Sequence, residues 1–106
     1  MVQIVWTEPA RADLEAIVDY VAIENPAAAA ALGRRVLRHV EQLALHPDSG
    51  SRPRELGRSR FWQIVEPPCR VLYRRDGTTV AILHVMRTER ELDMRRVIDA
   101  ADAPES

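Results

Sequence analysis

The sequence contains no lysine; all fifteen of its basic residues are arginine. It has a single cysteine, Cys69. That excludes an internal disulfide framework and any cysteine-rich zinc site. The three histidines, His39, His46 and His84, stand with Cys69 at no ligand-like spacing, so neither a metal nor a cofactor is expected. The four glycines, Gly33, Gly50, Gly57 and Gly77, are isolated, which excludes a glycine-rich phosphate loop. No apolar run approaches the roughly 20 residues of a membrane span. The opening Met1-Val2-Gln3-Ile4-Val5-Trp6 turns polar without the basic and apolar regions of a secretory signal. A cytoplasmic protein with no membrane partner is the expectation.

What remains is an ordinary globular composition. The chain has 106 residues, 46% hydrophobic and 29% charged, enough for one core and one domain. The expected domain covers residues 1–100, with a disordered tail at 101–106. The net charge of −1 conceals an uneven distribution. Residues 1–30 balance at −4, residues 31–51 at +1, residues 52–75 at +5 and residues 76–106 at −3. The middle of the chain is a basic island in an acidic protein.

Hydrophobic spacing gives the elements. Residues 2–6 read as a short strand rich in Val, Ile and Trp. Thr7 is placed to cap a helix with Glu8 and Pro9 in its first turn. Ala10, Leu14, Ile17 and Val21 then draw one helical stripe. Asn25-Pro26 ends that helix and opens a second, with the stripe Leu32, Val36, Val40 and Leu43. A loop follows from Pro47 to Gly57. Three strands come next: Arg60 to Glu66, Cys69 to Arg75 and Thr78 to Met86, the last two joined by the turn signal Asp76-Gly77. In the middle strand Cys69, Val71 and Tyr73 share one face, and Arg70, Leu72 and Arg74 the other. In the last strand Val80, Ile82 and His84 alternate with Ala81, Leu83 and Val85, and two apolar faces place that strand inside the sheet. Thr88-Glu89-Arg90-Glu91 has the pattern of a capping box opening a short final helix through Leu92, Val97 and Ile98. The fold class is α+β, in the order β-α-α-β-β-β(-α). A helical hairpin packs on one face of a mostly antiparallel sheet, and the opposite face is left open to the basic island.

The arginine cluster is the strongest chemical signal. Arg52, Arg54, Arg58, Arg60, Arg70, Arg74 and Arg75 occupy the loop and two neighbouring strands, with Phe61 and Trp62 beside Arg60. A planar guanidinium bonds phosphates and carboxylates in a two-pronged way. Three readings stand: a nucleic-acid surface, a docking site for an acidic protein segment, and a solvated face whose charges discourage strand addition. A pI near 6.3 counts against nucleic acid, whose binders are usually basic throughout. Candidates for general acid–base chemistry are few: Glu55 and His84, with Arg70 or Arg87 to stabilise developing charge. His84 reads more readily as a satisfied histidine of an apolar strand than as a base, and Cys69 as a small, half-buried hydrophobe rather than a nucleophile.

Several short motifs together resemble the RelE/ParE superfamily of toxins of bacterial toxin–antitoxin modules. They are Ile4-Val5-Trp6-Thr7-Glu8-Pro9-Ala10 with Asp13-Leu14, Ile17 and Tyr20-Val21-Ala22; Asn25-Pro26-Ala27-Ala28; Leu43-Ala44 with His46-Pro47 and Gly50; Arg70-Val71-Leu72-Tyr73-Arg74; and Val80-Ala81-Ile82-Leu83-His84-Val85. The likeness spans residues 2–98 and implies the same fold. It implies a cytoplasmic toxin neutralised by a small acidic antitoxin, in a toxin–antitoxin hetero-oligomer, with the arginines at 52–75 as partner contacts. In one branch of the superfamily the target is DNA gyrase, and the toxin is not an enzyme. In the other it is a metal-independent endonuclease cutting mRNA on the ribosome; there Arg70 takes the phosphate-contacting position, with Glu55, His84 and Arg87 as companions. Asp93 and Met94 stand where the nuclease branch has Tyr or His, which favours the gyrase branch. A degenerate member that only binds its antitoxin is the third alternative.

Overall fold

The computed structural model describes residues 1–56, 60–90 and 94–101. The elements run β1 (Gln3–Trp6), α1 (Glu8–Ala22), α2 (Pro26–Glu41), β2 (Phe61–Glu66), β3 (Cys69–Asp76), β4 (Thr79–Arg87) and α3 (Met94–Ala101). A single 3-10 turn, Gln42–Ala44, extends α2.

Both hairpin helices start on the caps that the sequence supplies. The Thr7 hydroxyl accepts from the Ala10 N–H at 3.4 Å and donates to the Ile82 carbonyl at 2.7 Å, so the cap also ties α1 to the sheet. Asn25 Oδ1 accepts from the Ala28 N–H at 3.0 Å. Each cap satisfies an N–H that the helix itself cannot.

The sheet order is β1-β4-β3-β2. β1 runs parallel to β4, while β4–β3 and β3–β2 are antiparallel. β4 is therefore an inner strand, as its two apolar faces require. Leu14 of α1 and Leu32, Val36 and Val40 of α2 pack on Ile64, Val71, Tyr73, Val80, Ile82 and Val85, with Ile17 and Val21 partly buried at the margin. The β3–β4 turn uses Gly77 at φ +59, a left-handed conformation that costs glycine least.

The structure corrects three expectations. First, the alternation in β4 does not hold throughout. Tyr73 pairs with Ile82 but Leu72 pairs with His84, so Leu83 is an extra residue in a bulge. Such an insertion reverses the facing of everything beyond it, and Val85 therefore joins Val80 and Ile82 in the core. Second, the sheet face away from the hairpin is not open: Leu72 is 1% exposed and Leu83 0%, while α3, with Val97 and Ala100 buried, packs against β4. Third, Thr88 does not open a helix. Its N–H bonds the Pro68 carbonyl at 2.9 Å and residues 88–90 form a turn; α3 begins at Met94. Glu91, Leu92 and Asp93 lie outside the described residues.

Candidate functional site

Arg70 lies on the β3 face away from the hairpin, and it is 6% exposed. Its Nη1 donates to Glu55 Oε1 at 3.1 Å and to Gln63 Oε1 at 3.1 Å. Its Nη2 donates to Glu55 Oε2 at 2.5 Å and to the Arg90 carbonyl at 3.0 Å. Nε is buried without a hydrogen-bond partner. The guanidinium thus joins the loop before β2, β2 itself and the turn after β4. A charge this deeply desolvated is tolerated because a two-pronged carboxylate faces it. Two of the nuclease candidates, Arg70 and Glu55, are therefore each other's partners.

Arg52, Arg60 and Arg74 stand around the start of β2. The Arg52 guanidinium lies 3.8 Å from the Trp62 ring centroid, and its Nη1 reaches the Phe61 carbonyl at 3.5 Å. Arg60 stands over Phe61 at 5.6 Å. Stacking on a ring leaves the in-plane N–H groups of a guanidinium facing outward. Arg74 Nε pairs with Asp76 Oδ2 at 2.6 Å, and Arg75 Nη1 with Asp48 Oδ2 at 2.8 Å. Arg54 is exposed; Arg58 lies outside the described residues. The loop that carries these arginines is fixed by the buried Tyr73, whose hydroxyl donates to the Pro47 carbonyl at 3.0 Å and accepts from the Gly50 N–H at 3.1 Å. A Cβ on Gly50 would meet the Tyr73 hydroxyl and the Gln63 carbonyl at 2.5 Å, so only glycine fits. Burial pushes the Tyr73 phenol above its ordinary value, against the pull of the Gly50 N–H.

His84 belongs to a different cluster. Its Nδ1 lies 2.6 Å from Asp13 Oδ2, which also accepts from the Val85 N–H at 3.2 Å. Asp13 Oδ1 pairs with Arg96 of α3. One carboxylate on α1 therefore holds β4, beyond the point where β1 stops pairing, and α3. An open groove of about 640 Å³ runs beside it between α1 and the end of β4, lined by Ile17, Tyr20, His84, Met86, Arg87 and Arg90 among others. Arg87 Nε lies 2.7 Å from Glu89 Oε1, an ion pair without hydrogen-bond alignment. The Glu89 carboxyl is held below its ordinary value by its own backbone N–H and by Arg87. The four nuclease candidates thus fall into two groups, Glu55 with Arg70, and His84 with Arg87 along the groove. Asp13, which holds His84, has a sequence signal in its place on the flank of the apolar stripe, three residues after Ala10.

Cys69 is buried, and burial pushes its thiol up, away from thiolate chemistry. Among the described residues no group of three or more His, Cys, Asp or Glu side chains could hold a metal ion, and no helix is long and apolar enough to cross a membrane.

The fold has counterparts among solved structures. The chain is similar to a chain of the chromosomal ParDE toxin–antitoxin system of P. aeruginosa, with 27% identity and a TM-score of 0.72, covering 84% of this chain and 98% of that one. It is also similar to a chain of the RelBE2 toxin–antitoxin complex of Mycobacterium tuberculosis, with 26% identity, a TM-score of 0.57, and coverage of 81% and 96%. No curated protein matches it. The fold and these likenesses are those of a toxin of a type II toxin–antitoxin system. Residues 4–92 match the family model described as "ParE toxin of type II toxin-antitoxin system, parDE", and the chain belongs to that family.

Proposed function

We propose that this toxin acts on DNA gyrase and does not cut RNA. The observation that carries the reading is the burial of Arg70: both of its Nη groups are engaged by Glu55, Gln63 and Arg90, and none is presented to a phosphodiester. A metal-independent ribonuclease needs a base, an acid and cationic stabilisation converging on one phosphate, and here the carboxylate–arginine pair and His84 belong to separate clusters. The family match supports the same branch.

The neutralising partner is a small acidic antitoxin, in a toxin–antitoxin hetero-oligomer. Its acidic segment docks on Arg52, Arg54, Arg60, Arg74 and Arg75, together with Arg58 in the same run. Arg70 serves inside the fold as a brace for this surface. The test is direct. The purified chain is expected to inhibit supercoiling by gyrase and to leave mRNA intact in translating ribosomes. Cleavage of ribosome-bound mRNA that disappears in Arg70→Ala or His84→Ala would assign the nuclease branch. Loss of both activities, with antitoxin binding retained, would mark a degenerate toxin.

A further inference from the structure

Helix α1 carries two apolar stripes. Ala10, Leu14, Ile17 and Val21 face the core. Ala12, Ala16, Tyr20 and Ile23 form the second, at spacings of 4, 4 and 3, and all four are exposed. Tyr20 is 62% exposed and Ile23 81%. The turn that presents them is fixed. The Ile23 N–H bonds the Tyr20 carbonyl at 3.3 Å, and the N–H groups of Glu24 and Asn25 bond the Val21 carbonyl at 3.3 and 3.0 Å. Asn25 then caps α2. Glu15 and Asp19 flank the stripe, and Glu24 follows it. These three carboxylates are exposed and make no ion pair among the described residues. Residues 12–33 hold no basic side chain. By contrast, Asp48, Glu55, Glu66, Asp76 and Glu89 each face an arginine. The arrangement on α1 costs stability. Glu15 and Asp19, four residues apart, repel each other. Asp19 and Glu24 stand at the end of α1, where the helix dipole favours cations and no basic residue is present. A local cost with no gain inside the fold marks a surface that serves a partner.

We infer that this face of α1 is the surface with which the toxin holds its target protein, and that the complementary site is an apolar pocket rimmed by Lys or Arg. The inference rests on the reading of gyrase as the target. Charge selects the occupant. An acidic antitoxin is repelled here and drawn to the arginines at the β2 end of the sheet, whereas α1 packs on β4. A nucleic-acid backbone is repelled for the same reason. A second copy of this face brings the same unpaired carboxylates. What fits is a protein surface of opposite sign. Tyr20 and Ile23 are its apolar anchors, and a tyrosine contributes large contact area at low entropic cost. The carboxylates beside them find on the target the counter-charges that the fold withholds, and they speed the encounter. The toxin thus presents opposite charge to its two partners.

Tyr20→Ser with Ile23→Ser removes both anchors and, at these exposures, little packing. With an unchanged circular dichroism spectrum, the double variant is expected to need at least about tenfold more protein to inhibit supercoiling by gyrase. It should bind the cognate antitoxin as the unaltered chain does. Asp19→Lys with Glu24→Lys is expected to weaken inhibition as well, most at low salt, and it decides the matter if the first variant does not fold. Inhibition by the variants equal to that of the unaltered chain overturns the proposal. So does a loss of antitoxin binding, which would give this face to the antitoxin. An unaltered chain that leaves gyrase untouched refutes the gyrase reading, and growth arrest on expression then decides the surface. Arrest that is lost in the double variant, with antitoxin binding kept, supports this face against another target. Arrest that persists in the variant, or no arrest by the unaltered chain, overturns it.

Discussion

Glu55 and Arg70 meet as a two-pronged ion pair, with the arginine 6% exposed and its two Nη atoms 3.1 and 2.5 Å from the carboxylate oxygens. The attraction within this pair is offset by the cost of taking the Arg70 charge out of water, whereas removal of Glu55 leaves that buried charge stranded. Glu55→Ala should therefore destabilise the fold by about 3–5 kcal/mol. The double variant Glu55→Leu with Arg70→Met should cost much less than the single one. Urea unfolding measures both. A single variant as stable as the unaltered chain would show that the pair does not brace the loop.

Val36 is fully buried under the helical hairpin. A carboxylate placed there has no partner, and burial of an unpaired charge is among the largest of single-residue penalties. Val36→Asp should abolish soluble folding; an unchanged thermal midpoint would refute the packing described.

Asp13 joins α1 to the Val85 N–H, His84 and Arg96 at once. Asp13→Ala is expected to cost about 1.5–3 kcal/mol, the range of one hydrogen bond to a charged group, and to speed hydrogen exchange of the Val85 amide. Unaltered exchange at Val85 would mean that the carboxylate does not seal the strand.

Tyr73 gives the protein an alkaline weakness. Burial raises its phenol above the ordinary value of about 10. A folded-state value above the unfolded one contributes stability that is complete below pH about 10 and is lost as pH rises through the folded value. Tyr73→Phe should be less stable at neutral pH by about 1–3 kcal/mol, because the Gly50 N–H loses its acceptor in a crowded site. It should also show a shallower fall in urea midpoint between neutral pH and pH about 11. Equal falls in the two proteins would exclude Tyr73 as the titrating group.

The proposed antitoxin surface predicts a dependence on salt. Replacing Arg52, Arg60 and Arg74 together by Ser should slow association with the cognate antitoxin, most at low ionic strength, since exposed charges act mainly on the encounter rate. Identical rates at low salt would place the antitoxin elsewhere.

Local chemistry made much of this fold readable in the sequence. Thr7 and Asn25 announce helix starts because a side-chain oxygen can bond only the N–H groups just ahead of it. Asp76-Gly77 announces a hairpin because glycine accepts a left-handed backbone without strain. Cys69, Val71 and Tyr73 share the hairpin side because side chains alternate along a strand. The features that escaped the sequence depend on distant partners. The bulge at Leu83 shifts the register of β4 against β3, and nothing beside Leu83 in the chain marks it. Thr88 carries a helix-start pattern, but its N–H is taken by Pro68, twenty residues earlier. Arg70 reads as a free surface charge until the loop folds back and delivers Glu55. Asp13 gains its role only when β4 and α3 close around it.

The pairing of Gln3–Trp6 with Thr79–Ile82 has a consequence for synthesis. The first strand leaves the ribosome with no neighbour, and its place in the sheet does not exist until more than seventy further residues have been made. The helical hairpin emerges meanwhile with its apolar stripe uncovered. A chain released before Thr79 lacks the central strand that unites both ends of the sheet. Products cut short before Thr79 should therefore be unstructured, and the folded molecule exists only once β4 has been made.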